Sequence, residues 1–275
     1  MSAIRFLDLP VGHAGRRMLS GHTPSFAVQA DTRFSYRLFV PEDLRDDEPP
    51  LRLWVFVHGT GRRTQLYLDG FAEQARSERA VVLVPLFPVG TAGPDDINNY
   101  KLIDHGGVRY DEVLLSMVDE VAHRWPVAAE TFFLHGFSGG GQFANRFALL
   151  HPERLSAVSI GAAGQVTLPD PTQPWWRGTA DLEQRFGIGH DAAALARVPV
   201  QVVVGSLDDD PEAARVVAAD SDPVGRLTQA RTLTAALRGA GCSVRLDVVE
   251  GVGHDGGAVL DVVAAFLAAR PAGSA

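Results

Sequence analysis

The stretch Thr131–Leu150, TFFLHGFSGGGQFANRFALL, carries the pattern that decides the fold. It opens with an apolar run, Thr131–Leu134, that reads as a buried strand. It closes with a run of helical spacing, Gly139–Leu150, stopped at Pro152. Between them lies Gly136-Phe137-Ser138-Gly139-Gly140, of the form G-x-S-x-G. A chain that turns from strand to helix in so few residues forces Ser138 into a strained backbone conformation. The flanking glycines remove Cβ atoms that would clash there. Such a turn lifts a hydroxyl above the carboxyl end of a sheet and aims a helix N-terminus at any oxygen that becomes negative beside it.

Outward from this turn the alternation of strand and helix repeats. Leu51–Val57, Ala80–Leu86, Leu155–Ile160, Val198–Val204 and Val244–Val249 are short apolar runs rich in β-branched residues. Tyr67–Arg79, a segment from Asp111 onward, Val224–Leu237 and Gly257–Ala269 carry helical spacing, with Asp111 placed as an N-cap. Ser25–Ala30 and Arg33–Val40 alternate apolar and polar residues around Asp31-Thr32, which predicts an antiparallel hairpin. Val89–Gly107 reads as a loop. Gly161–Arg197, with Pro169, Pro171, Pro174, Trp175 and Trp176, interrupts the rhythm and is expected to be a short lid-like insertion over the sheet. The pattern predicts an α/β fold: a mainly parallel, doubly wound sheet with helices on both faces, in a single domain over residues 1–275.

The composition narrows the classes of function. The chain has 275 residues, 46% of them hydrophobic, and a formal net charge of -8. A nucleic-acid partner would call for a basic face, so none is expected. No apolar stretch is long enough to span a bilayer, and Met1–Ser20 lacks the unbroken apolar core of a signal peptide, so no membrane partner and a cytoplasmic location are expected. Cys242 is the sole cysteine, which rules out an intramolecular disulfide. Lys101 is the only lysine, a choice attributed here to compositional bias. Oligomeric state leaves no mark in the sequence.

A serine hydroxyl is a poor nucleophile until a base takes its proton. Downstream of Ser138 stand His151, His190 and His254. His151 ends the helix beside Pro152, and His190 lies in the insertion. His254 follows a strand in Glu250-Gly251-Val252-Gly253-His254, where a base can hang over the carboxyl end of the sheet, and it is the expected base. The acid that orients it should follow the preceding strand. Asp208 comes first in Gly205-Ser206-Leu207-Asp208-Asp209-Asp210 and is the choice, with Asp210 as fallback; the remaining carboxylates are expected at a helix N-terminus ahead of Pro211. The run lacks the ligand spacing of a calcium loop, and no metal is expected.

Acyl transfer also needs two N–H donors at the developing oxyanion. Gly139 supplies one, and Thr60 in His58-Gly59-Thr60-Gly61 is assigned the other, with Gly61 second. His58 is read as a structural histidine. Trp175, Trp176 and Tyr100 are expected to line a substrate pocket. Arg62 and Arg63 are taken as solvated, or else as binding a substrate carboxylate.

These motifs resemble the α/β-hydrolase superfamily from about Phe34 to Leu267. Tyr36-Arg37-Leu38-Phe39-Val40-Pro41, His58-Gly59-Thr60-Gly61, Gly136-Phe137-Ser138-Gly139-Gly140 and Gly251-Val252-Gly253-His254 look like its esterase and polyhydroxyalkanoate-depolymerase-like branch. The resemblance implies a cofactor-free serine esterase that cleaves a small carboxylic ester through an acyl-enzyme. An acyltransferase, or an amide or C–C bond hydrolase using the same three residues, is the alternative. Secreted depolymerases carry signal peptides and disulfides, and neither is read here, which points to a soluble ester rather than a polymer.

Overall fold

A computed structural model describes residues 4–45, 47–211 and 224–270. The single-domain expectation over 1–275 therefore includes segments outside the described residues. The chain enters through α1 (Ala14–Met18), β1 (Gly21–His22), β2 (Phe26–Ala27), β3 (Ser35–Val40) and β4 (Arg52–Val57). It continues through α2 (Gln65–Ser77), β5 (Ala80–Leu86), the two-stranded ribbon β6 (Asp104–His105) and β7 (Val108–Arg109), and α3 (Tyr110–Arg124). Then follow β8 (Phe132–Phe137), α4 (Gly139–Leu150), β9 (Leu155–Gly161), α5 (Leu182–Phe186), α6 (Ala192–Arg197) and β10 (Val200–Gly205). The last described elements are α7 (Arg226–Gly239), β11 (Val244–Val249) and α8 (Leu260–Ala268).

The main sheet runs β1-β3-β5-β4-β8-β9-β10-β11, with β2 also paired to β3. From β5 to β11 every pairing is parallel, and β3 joins β5 antiparallel. The central strands are buried on both faces, and this is why they read as unbroken apolar runs. Period-two alternation along β8 sends neighbouring phenylalanines to opposite faces. Phe132 meets Phe147 of α4 at 5.8 Å between ring centroids, and Phe133 meets Phe266 of α8 at 6.4 Å. Phe56 of β4 stacks on Phe71 of α2 at 4.2 Å on the same side as Phe133. Helices thus cover both faces, as the alternation predicts.

Several local expectations change. The predicted hairpin exists only as Phe26↔Tyr36 and Ala27↔Ser35, because Gly21–His22 takes up the far end of β3 instead. The loop 89–107 contains a short 3-10 turn, Asn99–Leu102, that packs against α4. Asp111 does not cap α3. It is fully buried, bonded to Arg109 at 2.6 Å and to His151 at 2.8 Å. Periodicity cannot reveal that use of Asp111, since its partner His151 lies 40 residues away.

Candidate active site

Ser138 stands between β8 and α4 with φ 59 and ψ -114. This is the strained turn that the flanking glycines anticipate. Backbones crowd around it. A Cβ on Gly136 would lie 2.1 Å from the Gly140 carbonyl oxygen, and one on Gly140 2.1 Å from that of Val57. Both positions therefore exclude every side chain.

Two further loops end beside this turn. His254 lies within 2.9 Å of Ser138 through Nε2 and within 2.6 Å of Asp208 through Nδ1. Asp208 is 4% exposed, and its second carboxylate oxygen accepts a bond from Arg226 at 3.1 Å. Burial raises the pKa of this carboxyl, but the His254 hydrogen bond and charge, with Arg226 beside it, outweigh burial and leave it below the ordinary carboxylate value. An ionised Asp208 accepts from Nδ1–H, which leaves Nε2 free to accept from the Ser138 hydroxyl. The loops are brought together at Gly205, where a Cβ would lie 2.1 Å from the Val252 carbonyl oxygen.

Asp209 serves a different purpose. It accepts from the Thr228 amide at 2.9 Å and the Thr228 hydroxyl at 3.1 Å, capping the first turn of α7. The helix that an acidic cap was expected to start ahead of Pro211 falls partly on residues 212–223, outside the described residues.

On the other side of Ser138, residues 58–62 form a loop whose carbonyls are tied down one after another. The Tyr100 hydroxyl donates to the His58 carbonyl at 2.9 Å. The His58 ring contacts the Gly59 carbonyl through Nδ1 at 2.9 Å and accepts from the Phe87 amide through Nε2 at 3.0 Å. Those bonds assign the proton to Nδ1 of a neutral ring, and burial lowers the His58 pKa to about 4. Arg62, at φ 51, donates to the Thr60 carbonyl at 2.6 Å and to the carbonyls of Phe87 and Ile97. The carbonyls of His58, Gly59 and Thr60 are thus each held by a donor, and Thr60 lines the cleft at Ser138. The Gly139 amide, first in α4, has no carbonyl of its own helix to bond.

Tyr100 and Arg62 are thus placed differently from expectation. Tyr100 is fully buried and stacked on Phe87 at 5.4 Å, beneath the loop rather than in the pocket. Arg62 is neither solvated nor turned to the cleft. What sequence reasoning missed is this bracing, in which Arg62 also reaches the Asn99 side chain and lies over the Tyr100 ring. A cleft of about 220 Å³ opens at Ser138 and His254 and is also lined by Thr60, Arg63, Leu66 and Phe137. Trp175 and Trp176 do not line it. Trp175 packs edge-on against Phe186 at 4.8 Å, and the Trp176 ring lies 5.3 Å from the Arg146 guanidinium. The insertion is fastened to α4 by reciprocal bonds between Asn145 and Thr167 and by Arg146 on the Thr167 hydroxyl. A larger hollow of about 480 Å³ between β2 and α3 is lined by Ser25, Tyr36, Glu120, His123 and Arg124, among others.

No group of three or more His, Cys, Asp or Glu residues suited to a metal ion is found among the described residues. No helix among them is long and apolar enough to cross a membrane.

The chain is similar to several solved structures. Poly(aspartic acid) hydrolase-1 from Sphingomonas sp. KT-1 is 21% identical with a TM-score of 0.73, over 90% of this chain and 98% of that one. A poly(3-hydroxybutyrate) depolymerase from Bordetella parapertussis is 23% identical with a TM-score of 0.67, over 88% and 86% respectively. An S-formylglutathione hydrolase from Agrobacterium tumefaciens is 18% identical with a TM-score of 0.58, over 90% and 94%. No protein-family model matches the sequence, and neither does any curated protein.

Proposed function

We propose, from the premise that this chain has the α/β-hydrolase fold, that it is a serine esterase acting on a small carboxylic ester through an acyl-enzyme. The observation that carries the reading is the unbroken relay from Asp208 through His254 to Ser138, ending on a serine at φ 59. In this reading Ser138 Oγ attacks the ester carbonyl while His254 Nε2 takes its proton. Asp208 keeps Nδ1 as the donor and stabilises the imidazolium that forms. The amides of Thr60 and Gly139 receive the oxyanion. Collapse of the tetrahedral intermediate returns the proton from His254 to the departing alcohol. Water, deprotonated by His254, then attacks the acyl-enzyme and releases the acid with Ser138 restored.

Support also comes from the structural neighbours, whose names describe a poly(aspartic acid) hydrolase, a poly(3-hydroxybutyrate) depolymerase, an S-formylglutathione hydrolase and two esterases. A fluorophosphonate probe and a series of p-nitrophenyl esters of rising acyl length test the proposal. The native chain is expected to be labelled and to turn over short esters. Ser138→Ala is expected to lose labelling and about 10³-fold or more of the turnover. Ordinary activity in purified Ser138→Ala overturns the assignment.

A further inference from the structure

Arg62 and Arg63 are adjacent cations in one loop, and the structure uses them differently. Arg62 turns its guanidinium beneath the loop, onto the carbonyls of Thr60, Phe87 and Ile97 and the Asn99 side chain. Arg63 is exposed and lines the cleft at Ser138. It makes no hydrogen bond and no ion pair among the described residues.

The loop backbone fixes where the Arg63 side chain starts. The Arg62 amide closes a turn onto the Gly59 carbonyl at 3.0 Å, and the Thr64 amide closes a tighter one onto the Arg62 carbonyl, also at 3.0 Å. Arg62, at φ 51, joins the two turns. The Arg63 cation is therefore placed from its backbone while its guanidinium stays unengaged.

The cleft offers that guanidinium no counter-charge. Arg63 is the only permanently charged side chain in its lining, and no lining residue is acidic. Carboxylates close by are already in use. Asp255, next to the cleft-lining Gly256, accepts from the Gly257 amide at 2.8 Å, and Asp69 of α2 accepts from Gln65 at 2.6 Å. The charge also reaches the reacting end of the cleft. Burial raises the pKa of the Tyr67 phenol, and the Phe137 backbone and the Arg63 charge both oppose that rise. Tyr67 thus lies in the field of Arg63 and against the residue that precedes Ser138.

A guanidinium presents a planar fork of donors that matches a carboxylate. Sites that are mostly apolar or neutral owe their selectivity to a few such groups. We infer that Arg63 selects the substrate of Ser138, and that the ester cleaved there carries a carboxylate a few bonds from its carbonyl, on its acyl or its alcohol portion. The inference rests on the serine-esterase reading above. The net charge of -8 sharpens it, because the chain as a whole repels an anion and any preference for one must come from a local cation.

Two short series of esters provide the test. Monomethyl succinate and monomethyl glutarate carry the carboxylate on the acyl side, and acetoxypropionate and acetoxybutyrate carry it at the end of the alcohol side. Each acid is paired with its primary amide, which keeps the shape and removes the charge. The measured quantity is the ratio of kcat/KM for the acid to that for the amide. The wild-type ratio is expected to exceed one in at least one series, and that series identifies the portion that bears the carboxylate. Arg63→Gln is expected to lower the ratio about threefold or more, and Arg63→Lys, which keeps the charge but loses the fork, to retain part of it. Sodium chloride at about 0.5 M should draw the wild-type ratio towards one, since an exposed charge pair is screened. Wild-type ratios of one or below in both series overturn the inference. So does an Arg63→Gln protein with the wild-type ratio, including one in which acid and amide fall together. Fluorophosphonate labelling of Ser138 without hydrolysis of any acid in either series also overturns it, and leaves the esterase reading standing. Failure to hydrolyse any ester, with no labelling of Ser138, removes that reading and the inference with it.

Discussion

The two loops that flank Ser138 each carry a histidine, and they use it in opposite ways. His254 is partly exposed, faces the cleft, and bonds side chains at both ring nitrogens. His58 is fully buried and bonds backbone at both. The first arrangement suits a proton that must move, since a hydroxyl on one side and a carboxylate on the other can both adjust to imidazolium. The second suits a proton that must stay, since burial opposes a second charge and two fixed backbone groups hold the tautomer. The side of the site proposed to transfer protons is built from side chains on loop ends. The side assigned to anion stabilisation is built from restrained carbonyls.

The largest effect should come from disturbing the relay. Asp208→Asn keeps the shape but offers His254 a different hydrogen-bond partner, and kcat should fall about 10³–10⁴-fold with little change in melting temperature. Asp209→Asn keeps an oxygen to accept from the Thr228 amide and should change kcat less than about threefold with little change in stability, because Asn caps a helix about as well as Asp. Urea unfolding and steady-state rates on both variants separate the roles. Equal kinetic losses would erase the distinction between the two carboxylates.

A smaller effect is expected on the braced side. Tyr100→Phe removes the donor to the His58 carbonyl and leaves the ring stack, and kcat should drop about tenfold while KM moves little, a fraction of what a lost oxyanion donor costs. An unchanged kcat with lowered melting temperature would make Tyr100 a packing residue alone.

The contrast between the histidines also has a pH signature. The folded pKa is lowered to about 4 for His58 and about 3 for His135, another fully buried histidine on β8, in both cases chiefly by burial. Unfolding frees both to take protons at the ordinary value of 6.5. Their contribution to stability is therefore complete above pH 6.5 and is lost as pH falls from there towards 4. Each should add a slope of about 1.4 kcal/mol per pH unit in that window, read from urea midpoints at several pH values. A flat profile between pH 6.5 and 4 would show that neither ring is held neutral.

The smallest kinetic effect belongs to the tryptophan pair. Trp175→Ala removes a ring packed on Phe186 and should cost about 3–5 kcal/mol of stability, while relative rates across an ester series stay constant. A shift in preferred acyl length would return Trp175 to the substrate pocket.

The extent of what the sequence discloses follows from the range of the interactions involved. Apolar runs and helical spacing are local, so the order of strands and helices could be read directly, and α4 begins and ends at the residues predicted. Ser138, Asp208 and His254 were legible because each sits just past the end of a strand, and parallel strands deliver all such ends to one edge. The roles of Tyr100 and Arg62 were not legible. Tyr100 reaches a carbonyl 42 residues away and Arg62 a carbonyl 25 residues away, pairings with no period and no motif. By itself the sequence determined the alternation of elements, the strained serine turn and the three residues that meet over it. Only the tertiary structure decided which aromatic and cationic side chains face the cleft and which brace it from beneath. That choice depends on how the loop 89–107 folds back under residues 58–62, and burial and hydrogen-bond satisfaction across that contact exist only once the chain is closed.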